Sequence, residues 1–154
     1  MLDISGYFIS VFQLGEQVEW ALHCAVVMAM SPVGTAISAN KLAEDHGVGM
    51  TYLAKALQAM SRAGLVISVV GRGGGYRLAR SPSEITLLDV VQALEGRTTF
   101  FRCAEIRRNL PARRKSQVCS IAKAMYQAES AWREELRAVS LADIAADVRR
   151  LPLG

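Results

Sequence analysis

Residues 38–78 read SANKLAEDHGVGMTYLAKALQAMSRAGLVISVVGRGGGYRL, and this stretch decides the fold. Ser38 has a hydroxyl suited to an N-cap, so a short helix is predicted from Ala39 to Asp45, with Leu42 and Ala43 facing inward. His46-Gly47 ends it. A second helix is predicted from about Met50 to Ala63, with Leu53, Leu57 and Met60 on one face and Gly64 closing it. Two helices joined by a short glycine-containing turn read as a helix-turn-helix. Leu65 to Val70 is β-branched at Val66, Ile67, Val69 and Val70 and reads as a strand. Gly71-Arg72-Gly73-Gly74-Gly75 is a turn whose glycines can take positive φ. Tyr76-Arg77-Leu78 is the returning strand. Helix-turn-helix plus hairpin makes a winged helix.

Working outward toward the N-terminus, the pattern is helical from Glu16. Val18, Leu22, Ala25, Val26 and Ala29 recur at three and four residues, until Ser31-Pro32-Val33-Gly34 ends the helix. Residues 1–15 have no clear period and read as a loose lead or a tag remnant. On the other side, Ser81-Pro82 breaks the chain, Thr86 caps a helix through Leu94, and Gly96 stops it. Residues 97–118 lack a clean period and are mostly basic, so they read as a long loop, a length that is unusual unless functional or disordered. Cys119 to about Arg137 is a long helix with Ile121, Ala124, Met125, Ala128, Trp132 and Leu136 as its apolar stripe. Ser140 starts a last helix, with Asp143 three residues on as a weaker capping box.

The fold class is therefore mainly α with a small β-hairpin wing: a winged helix-turn-helix (16–80), a linker helix (81–96), a loop (97–118), and a long dimerisation helix with a C-terminal helix (119–150). The long helix exceeds what a winged helix needs for itself. Met125, Ala128, Trp132 and Leu136 are expected to meet a second copy, with Trp132 largely shielded, because regulators that read two half-sites are commonly dimers.

Composition narrows the function. Apolar residues make up 51% of the 154 and charged residues 21%, which excludes a disordered chain. The most apolar stretch, Trp20 to Met30, has 11 residues, short of the roughly 20 that span a bilayer, so no membrane partner is expected. The start lacks a basic region and carries Asp3, so no signal peptide is expected. Three cysteines are too few for a disulfide scaffold and point to a reducing cytoplasm. The net charge of +4 is unevenly placed. Residues 39–80 carry Lys41, Lys55, Arg62, Arg72, Arg77 and Arg80 against Glu44 and Asp45. Residues 97–119 carry seven cations against Glu105, and the remainder of the chain is acidic. Two basic blocks suggest a polyanionic partner, although a pair of solvated surfaces would look the same.

A helix entering a major groove needs short polar and cationic side chains near its N-terminus. Thr51 and Tyr52 can reach phosphate, Lys55 phosphate or a guanine edge, and Gln58 a base. Arg72 sits on a glycine loop thin enough for a minor groove, with Gly73, Gly74 and Tyr76 in the same candidate surface. A phosphate-binding P-loop is excluded, since the Lys-Ser/Thr ending and following helix are missing. No nucleophile motif or substrate-pocket signature accompanies these residues, so neither an enzyme nor a small-molecule substrate is expected.

Glu19 and His23 are four apart, share a helix face, and can grip one metal ion or form an ordinary surface pair. Cys24 is turned about 100° away from His23 and reads as a small buried residue. Cys103 and Cys119, sixteen apart, read as loop thiols or a redox disulfide pair near arginines. Zinc would accept Glu19, His23, Cys103 and Cys119 together.

The segments Ile37–Glu44 and Tyr52–Gln58 resemble the helix-turn-helix of the IscR/NsrR ("Rrf-two") family of bacterial regulators. Gly64-Leu65-Val66 and Gly73–Arg80 are similar to that family's wing. Glu84–Gly96 is similar to the helix after it, and Ser140–Ile144 to the C-terminal signature. The resemblance covers about residues 16–146. It implies a homodimeric winged-helix transcription factor whose DNA affinity is often set by an iron–sulfur cluster; with the reducing compartment read from the cysteines, a cytoplasmic repressor of a double-stranded DNA operator is expected. Cluster-binding members commonly carry three cysteines before the long helix, where this sequence has Cys103 and Cys119. Val18–Cys24 looks most like the redox-sensing RsrR branch. That likeness implies a [2Fe–2S] cluster held by Glu19 and His23 of one subunit and Cys103 and Cys119 of the other. Some family members lack a cluster, which leaves a thiol switch or control by a protein partner as the alternative.

Overall fold

A computed structural model describes residues 14–97, 99–104, 106–107, 109, 111 and 118–151. The expected loose lead falls, for residues 1–13, outside the described residues, as does the basic run 112–117. Among the described residues there are six α-helices and one two-stranded hairpin: α1 (Glu16–Met30), α2 (Ala39–His46), α3 (Met50–Arg62), β1 (Val66–Val69), β2 (Gly75–Leu78), α4 (Leu87–Glu95), α5 (Ser120–Arg137) and α6 (Leu141–Arg150). The mainly helical winged-helix architecture expected from the sequence is the one observed. A 3₁₀ turn at Pro82–Glu84, unforeseen, carries its own capping box from Ser81 to Glu84.

α1 is the centre of the core and packs against α3, α4 and α6. Its buried face is Val18, Ala21, Cys24, Ala25, Met28 and Ala29, and the small residues let three helices approach closely. Leu22 and Val26, expected on the innermost line, are only half-buried. A helix packed on several sides has apolar residues nearly all round, so periodicity cannot fix its deepest stripe. Leu42, Leu53, Leu57, Met60, Val66, Ile85, Val90 and Leu141 complete the core. Each such side chain contributes about 1.5–3 kcal/mol by leaving water.

The helix-turn-helix is fixed at both ends of α2. The Ser38 hydroxyl accepts the Lys41 N–H at 3.1 Å. Gly47, at φ 63°, takes the left-handed conformation that turns the chain back, and Val48 N–H donates to the Ala43 carbonyl at 3.0 Å. The hairpin is antiparallel, with Val66 opposite Leu78 and Val69 opposite Gly75. The caps of α4 and α6 are joined. Thr86 and Ser140 form an isolated antiparallel bridge, in which Leu87 N–H donates to the Val139 carbonyl at 3.0 Å and Leu141 N–H to the Ile85 carbonyl at 2.9 Å. Both caps are complete capping boxes, with Asp89 and Asp143 reaching back to the cap residues. The Ser140 hydroxyl and N–H hold the Asp143 carboxyl below the usual carboxylate range.

Candidate functional site

The residues expected to enter a major groove project from α3 as its amphipathicity requires. Leu53, Ala56, Leu57 and Met60 face the core, so Thr51, Tyr52, Lys55 and Gln58 are exposed. Tyr52 keeps 59% of its surface, yet one edge of its ring meets Trp20 of α1, centroids 6.3 Å apart.

The wing is stitched to this unit by backbone. Tyr76 N–H donates to the Ile37 carbonyl at 2.8 Å and Ile37 N–H to the Tyr76 carbonyl at 2.9 Å, so β2 runs beside the entry to α2. The approach excludes side chains: a Cβ on Gly75 would lie 2.1 Å from the Ile37 carbonyl oxygen, and one on Gly74 2.2 Å from that of Val69. Arg72 and Gly73 lie exposed at the tip, and Val70 beside them is almost fully exposed. The Tyr76 side chain is half-buried and packs against the core, which gives it a supporting place rather than a free one.

Glu19 and His23 are both exposed on one face of α1. They line a shallow hollow of about 210 Å³ together with Trp20 and His46. The His46 ring lies 5.8 Å from that of His23, centroid to centroid, and His46 Nδ1 is 2.7 Å from the Leu42 carbonyl. A hydrogen bond to that carbonyl requires Nδ1–H, which directs Nε2 away as the free ring nitrogen. In the sequence, His46 reads only as the end of a helix. It is 23 residues from His23, and only the packing of α2 near α1 brings them together.

Cys103 and Cys119 are outside any disulfide and of intermediate exposure, and Cys119 is the N-cap residue of α5. Cys24 is fully buried and its thiol is pushed up to about 11 by desolvation, as suits a core residue. Among the described residues no three His, Cys, Asp or Glu side chains come together as a metal site. Among the described residues of one chain, neither thiol therefore joins Glu19 and His23 as a third donor.

On α5, Ile121, Ala124 and Ala128 are exposed, while Met125, Trp132 and Leu136 are half-buried. The cover on Trp132 comes partly from its own chain: the Phe100 ring meets it edge-on at 4.8 Å. Phe101 meets Tyr126 in the same way at 5.8 Å. Glu129, between them, is a buried charged residue within the helix read for its apolar stripe.

A family model described as an iron-dependent transcriptional regulator, Rrf2, matches residues 14–147. Among solved structures, the chain is similar to CymR, the global cysteine regulator of B. subtilis, at 22% identity and TM-score 0.73, covering 88% of this chain and 97% of that one. It is also similar to T. potens IscR at 25% identity and TM-score 0.70, covering 93% and 94%. The oxidized form of Staphylococcus aureus CymR aligns at 22% identity and TM-score 0.67, covering 87% and 96%. No helix among the described residues is long and apolar enough to cross a membrane. With its helix-turn-helix, its wing and a family match over most of its length, the chain belongs to the Rrf2 family of DNA-binding transcriptional regulators and is not an enzyme.

Proposed function

We propose that this chain works as a homodimeric repressor whose hold on its operator follows the redox state of a [2Fe–2S] cluster. Glu19 and His23 of one subunit, with Cys103 and Cys119 of the other, would hold it. The observation that carries this reading is the split donor set. One part is an exposed carboxylate and imidazole one helical turn apart, lining a hollow; the other is two half-buried thiols outside any disulfide, one at the N-cap of α5 and one in the loop before it. Their chemistry suits the group, since imidazole is known to replace thiolate on one iron of a two-iron centre. When bound, such a cluster supplies a one-electron change in the charge of the site.

The chain's own residues carry that change toward DNA. Trp20 follows Glu19 on α1 and touches Tyr52 in the first turn of α3. A shift of α1 therefore bears on the end of α3 that would enter the major groove. There Thr51 and Lys55 would bind phosphate, Gln58 would read a base edge, and Arg72 would follow the minor groove.

A second reading is a thiol switch acting through Cys103 and Cys119 without a cluster. The accessibility of both thiols and the likeness to CymR, a cysteine regulator, favour it. An ultraviolet–visible spectrum of anaerobically purified protein separates the two. The cluster reading expects a coloured protein, colour lost in Cys103→Ala and His23→Ala, and DNA affinity that differs between oxidised and reduced forms. A protein that stays colourless after supply of iron and sulfide, with affinity that responds to diamide, would establish the thiol switch instead.

A further inference from the structure

Glu129 is the buried charged side chain among the described residues, at 8% exposure, midway along α5. One carboxylate oxygen accepts both Nε and Nη2 of Arg133, at 3.1 and 2.9 Å. The other accepts the backbone N–H of Phe100 at 3.1 Å. A buried carboxylate is tolerated only when paired and hydrogen-bonded, and here part of that pairing comes from the loop before α5. The Phe100 ring is held too, edge-on to Trp132 and 6.0 Å from the Arg133 guanidinium.

The direction of the clamp gives it a use. Phe100 is fixed beside Glu129 and Trp132, and Phe101, one residue on, meets Tyr126. The loop therefore runs antiparallel to α5, toward the N-cap at Cys119. Cys119 is ten residues before Glu129, about 15 Å back along the axis. Cys103 is three residues after Phe100, a reach of at most about 11 Å. Fully extended toward the N-cap, those three residues would bring Cys103 to within about 4 Å of Cys119 along the axis, so the clamp bears on whether the two sulfurs can meet one ligand or each other.

We propose that Glu129 is a positioning residue: by holding the Phe100 N–H against α5, with Arg133 fixing its carboxylate, it sets the register that places Cys103 beside Cys119. The proposal rests on the reading of these two thiols as a working pair. It assigns no ligand role to Glu129 itself.

The test uses the full-length apo-protein and dibromobimane, which fluoresces on bridging two thiols. Wild-type protein is expected to bridge Cys103 to Cys119 rapidly within one chain, while the buried Cys24 stays out of reach. Glu129→Leu with Arg133→Leu replaces the ion pair by apolar side chains, a change that preserves folding when the role is only structural. With wild-type thermal stability, this variant should bridge roughly tenfold more slowly or worse, because the local concentration of one thiol near the other falls. Labelling by a monofunctional reagent should not slow. Bridging at the wild-type rate in the folded double variant would overturn the proposal. A measurement on the wild type stands beside it: Phe100 amide exchange should be as protected as the middle of α5, and exchange at the rate of an open loop would equally overturn it. Since both arms use apo-protein, a colourless protein would remove the cluster and leave this register standing, whereas a fast-bridging variant would do the reverse.

Discussion

The Trp20 indole meets the Tyr52 ring edge-on, centroids 6.3 Å apart and planes at 62°. One ring belongs to the helix that carries Glu19 and His23, the other to the first turn of α3. An edge-to-face pair contributes about 0.5–1.5 kcal/mol beyond its buried area. Trp20→Ala frees Tyr52 and the start of α3, so operator affinity should fall roughly two- to tenfold, the factor that this energy implies. Trp20→Phe should recover part of it. Gel-shift titration with unchanged affinity for Trp20→Ala would remove this contact from any account of DNA binding.

Lys55 lies one turn after Thr51 on the exposed side of α3. If it holds a phosphate, Lys55→Ala should weaken specific and non-specific DNA alike and reduce the salt dependence of binding by about one ion. If it reads guanine, the loss should be confined to the operator, at about 1–3 kcal/mol. Titrations on both DNAs at several salt concentrations decide between them. No loss on either DNA would take Lys55 out of the interface.

Gly74 has no room for a methyl group, since its Cβ would lie 2.2 Å from the Val69 carbonyl oxygen and 2.7 Å from that of Gly71. Both obstacles are backbone, so the loop itself must open. Gly74→Ala should cost about 1–3 kcal/mol of stability, as overpacking does, and weaken DNA binding by displacing Arg72. Denaturant unfolding beside a gel shift checks both. A variant of wild-type stability would mean that the tip rearranges without cost.

Local chemistry made most of the fold readable. Ser38, Thr86 and Ser140 cap the helices that they were expected to cap, and the β-branched run after Gly64 forms the first wing strand. Contacts between distant segments were not readable. Nothing in spacing places His46 beside His23, and Glu129 sat unnoticed in a helix selected for its apolar stripe. Phe100 lies where no period exists, so its attachment to α5 depends on tertiary packing alone. The same limit applies to the donors: sequence supplies Glu19, His23, Cys103 and Cys119, but among the described residues of one chain no three of them come together.

The three thiols should separate by environment. Burial pushes Cys24 up to about 11 from 9.0, while Cys103 and Cys119 are accessible. The thiolate is the reactive species, so at pH 8 only a thousandth or so of Cys24 is ionised in the folded protein, and access is blocked as well. Ellman's reagent should titrate two thiols per chain in native apo-protein and three after unfolding. A neutral thiol favoured by folding contributes stability that is fully present below pH 9 and is lost as pH rises toward about 11. Wild-type stability should therefore fall across that alkaline window more than that of Cys24→Ala, which has no proton to lose. Three fast-reacting thiols at pH 8, or parallel alkaline profiles for the two proteins, would mean that Cys24 is not sealed in the core.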